Sequence, residues 1–177
     1  TYAGKGKTKF AIVRFGNVLG SRGSVFQIFQ NQIKMKKPLT VTDKRMTRYI
    51  MSISEAASMI LKVTKILEGG EIYILKMPSV RIEDLAKGII HVYELRFPDY
   101  RNTSSLKITK PRGERFHELL ITNEEKLFCH DIGDMYKISK TENKKQLPYN
   151  EFSSETASRI SQSKLHKTIT ELINEYV

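Results

Sequence analysis

The stretch Val13-Arg14-Phe15-Gly16-Asn17-Val18-Leu19-Gly20-Ser21-Arg22-Gly23-Ser24-Val25 constrains the fold more than any other. It leads a short apolar strand through three glycines into an amphipathic helix. Phe10 to Val13 suit a buried strand, and Gly16, Gly20 and Gly23 let the backbone bend and approach a ligand closely. Ser24 stands at the helix-capping position, and Val25, Phe26, Phe29 and Ile33 recur at helical spacing. Backbone donors at Ser24 and Val25 would then face the loop, where the helix dipole favours a phosphate.

The punctuation downstream predicts alternating elements: a strand over 9–14, a helix over 24–36, a short strand over 39–42, a basic loop, and a helix over 53–67. Ser52 and Glu55 form a capping box, Ile60, Val63 and Leu67 continue one apolar face, and Gly69-Gly70 stop the helix. Ile72 to Leu75 read as a buried parallel strand. Ile82, Leu85, Ala86, Ile89, Ile90 and Tyr93 mark another amphipathic helix, broken by Pro98 to Asn102. A strand at 106–109, a helix at 114–120 and a hairpin joining 127–129 to 135–138 are expected next. A polar linker over 140–150 and a terminal helix through Leu165, Ile169, Leu172, Ile173 and Tyr176 complete the order. The expected class is α/β, the C-terminal part of a doubly wound Rossmann-type sheet with a small α+β lobe.

Three ordered motifs carry a family resemblance. The Val13–Val25 stretch, Pro38-Leu39-Thr40-Val41-Thr42-Asp43 and Met46-Thr47-Arg48-Tyr49 resemble the UDP-N-acetylglucosamine 4,6-dehydratases of the extended short-chain dehydrogenase/reductase superfamily. The likeness runs on through Gly69–Leu75, Val80–Ala86 and Gly113–Leu120, covering about residues 8 to 125. Such enzymes carry a Gly-x-x-Gly-x-x-Gly loop and a helical Tyr-x-x-x-Lys pair ahead of the strand matching Val13. Neither precedes that strand here, and Tyr2 and Lys5 stand only three apart. The expectation is therefore a C-terminal portion of a longer enzyme, with no catalytic residue in this chain.

The resemblance implies three divisions: residues 1–95 as the end of the NAD(P)-binding domain, 96–139 as a substrate-binding lobe, and 140–177 as linker and final helix. It implies NADP or NAD, held mainly by sequence outside this chain, with Phe15, Gly16, Asn17 and Val18 nearest to it. It also implies a homo-oligomeric parent and UDP-N-acetylglucosamine or a related UDP-sugar as ligand. Asn17, directly after the strand, would donate to a diphosphate oxygen or a sugar hydroxyl, and the alternative is an asparagine bonding its own loop. The main chain of Leu39, Thr40 and Val41 would run past the uracil. Arg48 would face the diphosphate, with Arg45 a weaker candidate. Family members read Arg-x-Gly-Glu-Lys where this chain reads Lys110-Pro111-Arg112-Gly113-Glu114-Arg115, so Arg112 is displaced by one position as a diphosphate contact. Glu114 remains in register for the ribose, or serves as an ordinary helix N-terminal acid. UDP-sugar epimerases share this fold and grip, and a non-catalytic basic binding domain is the reading from another class.

Charge and composition bear on these classes. A formal charge of +11 invites nucleic acid, but no RNP, zinc-finger or basic-zipper pattern accompanies it, and the expectation is a solvated basic face without a nucleic-acid partner. His91, His117, His130 and Cys129 lack metal-ligand spacing, so no metal is expected. The single cysteine fits a reducing, cytoplasmic setting, and no apolar run reaches transmembrane length.

Overall fold

The computed structural model describes residues 7–110, 113–141 and 153–176. Its elements run β1 (Ile12–Arg14), β2 (Asn17–Val18), α1 (Val25–Lys34), β3 (Leu39–Val41), β4 (Thr47–Met51), α2 (Ile53–Ile66), β5 (Ile72–Leu75) and β6 (Ser79–Arg81). Then follow α3 (Ile82–Arg96), β7 (Leu106–Ile108), β8 (Cys129–Asp131), β9 (Met135–Ile138) and α4 (Gln162–Tyr176). The stretch Tyr2 to Lys5 and most of the expected linker lie outside the described residues.

Helices α1, α2 and α3 form where local signals predict them. Phe26, Phe29 and Ile33 of α1 are fully buried, each contributing about 1.5–3 kcal/mol through removal from water. The α2 capping box closes in both directions: Glu55 N–H donates to Ser52 Oγ at 3.1 Å, and Ser52 N–H donates to the Glu55 carboxylate at 2.7 Å. Ala56, Met59 and Val63 face the core, whereas Ile60, expected inward, is exposed. On α3, Ile82, Leu85, Ala86, Ile89 and Tyr93 are buried as their spacing requires. A Cβ on Gly88 would meet Ile169 Cδ1 at 3.0 Å, so glycine lets α3 and α4 approach closely.

Three sheets organise the rest. The first has the order β1-β5-β9-β8, with β1 parallel to β5 and the β8–β9 hairpin antiparallel beside them. The second is β2-β4-β6, and the third pairs β3 with β7 in parallel. Met59 and Val63 of α2 pack with Tyr73 and Met135 in one cluster, and Ile74, Ile121, Cys129 and Tyr136 form another. This is the expected α/β class, and the expected hairpin forms with its first strand shifted to Cys129–Asp131, since residues 125–128 take a 3-10 turn.

Three expectations need correction. Residues 47–51, expected within the basic loop, form strand β4, which pairs antiparallel with β6, a pairing between distant segments that single-strand patterns do not reveal. Residues 114–120 form no helix, because their backbone groups serve distant partners: Thr47 N–H donates to Phe116 O at 2.9 Å, and Glu118 N–H to Ser154 Oγ at 2.8 Å. The Phe10–Val13 run is not a buried strand: among the described residues β1 stands at the edge of its sheet, with Ile12 59% and the preceding Phe10 53% exposed. Among the described residues no helix is long and apolar enough to cross a membrane.

Candidate active-site cleft

The carboxyl end of β1 opens into a cleft of about 350 Å³, lined by Phe15, Gly16 and Asn17 from one side and by Arg115, Glu118, Leu119 and Leu120 from the other. Open α/β sheets place ligands at such strand ends. Gly16 is required by packing: a Cβ there would overlap Tyr49 Cβ and come within 2.9 Å of Tyr49 O. Its N–H meets the Met77 sulfur at 3.3 Å.

Glu118 organises this corner. One carboxylate oxygen accepts Tyr49 N–H at 2.9 Å, and Arg48 Nε lies 3.8 Å from the other. The Asn17 amide faces the same carboxylate and, with its nitrogen on that side, donates at 2.7 and 3.2 Å. Burial raises the Glu118 pKa, against the lowering effects of Tyr49 N–H and the Arg48 charge. Behind Glu118, Thr47 Oγ1 bonds His117 Nδ1 at 2.8 Å and Ser154 Oγ at 2.7 Å, and Ser154 N–H donates to Glu118 O at 2.9 Å. The chain around 153–159 is thus fastened to β4, with Arg159 also bonded to Ser79 Oγ and to Ser154 O. Glu118 carries no local signal of this role, because the pattern over 114–120 is that of a helix.

The other expected site residues are distributed differently. Phe15 and Val18 turn their side chains into partly buried apolar clusters, leaving Gly16 and Asn17 as the polar wall of the cleft. Ser24 occupies the N-cap position of α1 with extended backbone, but its hydroxyl makes no cap and is buried without a hydrogen-bond partner. The first-turn corner is partly closed by its own groups: Gly23 N–H donates to Gln27 Oε1 at 2.8 Å, and Ser24 N–H to Ser21 O at 3.1 Å. The main chain at Leu39 and Val41 is taken up by the strand pairing with β7. Thr40 N–H donates to Gln32 Oε1 at 3.1 Å.

Arg48 holds protein carbonyls, donating to Thr47 O, Phe116 O and Arg115 O at 2.7, 3.1 and 2.8 Å, and so ties β4 to the 115–116 loop. Arg45 pairs with Asp43 and lies 4.7 Å from the Phe116 ring centre. Glu114 is exposed, and Arg112 lies outside the described residues. Cys129 is buried with its thiol pushed up to about 11 by desolvation, which suppresses the thiolate. Among the described residues no group of three or more His, Cys, Asp or Glu is placed to hold a metal ion.

Comparisons with known proteins agree with this architecture. An uncharacterized membrane protein of Methanocaldococcus jannaschii is 40% identical over 97% of this chain and 52% of its own length. A UDP-glucose 4-epimerase of Rickettsia bellii is 36% identical over 75% of this chain and 37% of its own length. The X-ray structure of Pen from Bacillus thuringiensis superimposes with a TM-score of 0.81 at 36% identity, covering 96% of this chain and 52% of Pen. The chain thus spans about half, or less, of the length of these relatives. The family model described as polysaccharide biosynthesis protein matches residues 1–140, and the chain belongs to that family.

Proposed function

We propose that this chain is the UDP-sugar-binding part of a nucleotide-sugar 4,6-dehydratase, converting UDP-N-acetylglucosamine to a 4-keto-6-deoxy sugar nucleotide for polysaccharide or glycan assembly. The observation that carries the reading is the β1 cleft, where Asn17, Arg115 and Glu118 converge from segments about a hundred residues apart in sequence. An amide, a guanidinium and a carboxylate at a strand end suit a ligand that combines hydroxyls with a diphosphate. Membership of the polysaccharide biosynthesis family supports the pathway class.

NADP or NAD would supply the hydride acceptor and donor. This chain's part toward it is limited to the Gly16–Asn17 wall, whose polar atoms suit a carboxamide. Binding the hexose against that wall orients it for chemistry carried out by residues outside this chain. Epimerisation of a UDP-sugar is the second reading, favoured by the identity to an enzyme named UDP-glucose 4-epimerase. Incubation of the enzyme containing this chain with UDP-N-acetylglucosamine and NADP separates the two by mass spectrometry. A product lighter by one water supports the dehydratase, and an isobaric product supports the epimerase. No turnover, together with no UDP-induced rise in melting temperature, would overturn both. Salt-sensitive binding to random oligonucleotides would then favour a basic binding domain.

A further inference from the structure

We propose that the cavity between α3 and α4 is a second anion site, taking a free phosphate or pyrophosphate group, separate from the β1 cleft and independent of the UDP-sugar reading.

The cavity holds about 270 Å³ and is lined by Arg81, Asp84, Lys87 and His91 from β6 and α3, and by Arg159 and His166 from the segment ending in α4. It shares no residue with the β1 cleft. The lining carries three permanent cations against one carboxylate, Asp84, so an entering anion meets a net attraction. Gly88 lines the same space: a Cβ there would stand 3.5 Å from His166 Cδ2, so glycine leaves room that a side chain would fill.

Exposed cations are ordinarily just solvated, and Lys87, paired with Glu83 at 2.9 Å, fits that description. Arg159 does not. Nη1 donates to Ser79 Oγ and, at 2.6 Å, to Ser154 O, and Nη2 donates to Glu155 O at 2.9 Å. Among the described residues these are all the bonds its guanidinium makes, and none is to a carboxylate. A guanidinium has five N–H donors, so the Nε–H and one on Nη2 remain on a side chain that the surrounding chain holds still. Two donors of one guanidinium are what a phosphate accepts in a bidentate contact. Arg81 likewise spends Nε and Nη2 on Asp84 at 2.7 and 3.2 Å and keeps its Nη1 group. The His91 and His166 rings lie 4.9 Å apart, and among the described residues neither ring is hydrogen-bonded. Each imidazole brings at least one further N–H donor.

Four such side chains border one void. A phosphoryl group presents oxygens on every side and can meet both helices at once, which a planar carboxylate cannot. The volume lies below the roughly 300 Å³ at which pockets for drug-sized ligands begin, so it suits a small anion better than a whole nucleotide.

The test is calorimetric titration of the enzyme containing this chain with pyrophosphate, in buffer free of phosphate. Wild type should bind it saturably with a Kd of about 1 mM or tighter. Arg81→Glu and Arg159→Gln should each weaken binding about tenfold or more, whereas Arg115→Gln in the β1 cleft should leave it within about twofold. Should Arg159→Gln fold poorly for want of its clamp, Arg81→Glu, on an exposed ion pair, still decides. No saturable binding, affinity unchanged in Arg81→Glu, or an equal loss in Arg115→Gln would overturn the proposal. Inorganic phosphate should show the same dependence on Arg81, and UDP should show none. UDP affinity that fell with Arg81→Glu would overturn the small-anion assignment. None of these outcomes depends on sugar-nucleotide turnover, so failure here leaves the UDP-sugar reading standing.

Discussion

Two glutamates, Glu71 and Glu118, each hold backbone N–H groups away from bulk water, yet they serve different ends. Glu71 is 5% exposed and accepts Glu68 N–H at 3.2 Å and Gly69 N–H at 2.9 and 3.0 Å, all within three residues of itself. It ties off the turn between α2 and β5. Glu118 draws its partners from β2, β4 and the 153–159 chain, and one side of it opens on a cleft. A carboxylate whose hydrogen bonds all stay within its own turn is scaffolding, even with Lys137 Nζ 3.9 Å away. One whose partners converge from distant segments beside open space can act on a ligand.

The contrast can be broken most forcefully at the backbone beneath Glu118. Gly16→Val drives a side chain into Tyr49, and should destabilise the protein by about 3 kcal/mol or more in urea unfolding. A tolerated valine would mean that the β1–β4 approach is not fixed. Glu71→Gln replaces an acceptor with a partial donor facing N–H groups. It should cost about 2 kcal/mol of stability while UDP-sugar affinity stays unchanged. Glu118→Gln should do the reverse, losing affinity with little loss of stability, and equal behaviour of the two variants would erase the distinction. Ser52→Ala removes the α2 cap, and is expected to cost about 1 kcal/mol by the same unfolding measurement.

The smallest effect lies in the pH dependence. Burial raises the Glu118 pKa above its ordinary value of 4.5, so its contribution to stability is present at low pH and lost as pH rises through that raised value. Glu125, hydrogen-bonded to Arg14 at 2.8 and 2.9 Å, has its pKa lowered. Its contribution is present above the ordinary value and lost as pH falls through the lowered one. Glu118→Gln and Glu125→Gln should therefore change the slope of stability against pH in opposite senses over mildly acidic pH. Slopes changed in the same sense would refute the assignment.

What the sequence disclosed follows the range of the interactions. Phe26, Phe29 and Ile33, or Ser52 with Glu55, are signals within a few residues, and the helices they predict are present. Strand β4 was hidden because Thr47 to Met51 has no alternating pattern, its residues being almost all buried between neighbours supplied from elsewhere. The 114–120 stretch carries a plausible helical pattern, yet Gly113 at φ +90° and hydrogen bonds to Thr47, Arg48 and Ser154 draw it into an irregular course. Asn17 was legible as a site residue because it follows a glycine at a strand end. Its partner Glu118, about a hundred positions away, was not, since no local pattern joins them.

The outer rim of β1 carries one more implication. Among the described residues β1 is the outermost strand of its sheet, with Ile12 and the preceding Phe10 exposed, and a margin of that kind invites a matching ribbon to anneal to it. In concentrated solution such a margin recruits whatever strand is nearest. Handling this polypeptide by itself thus calls for dilute conditions or a charge placed at Ile12 to keep neighbours from zipping together.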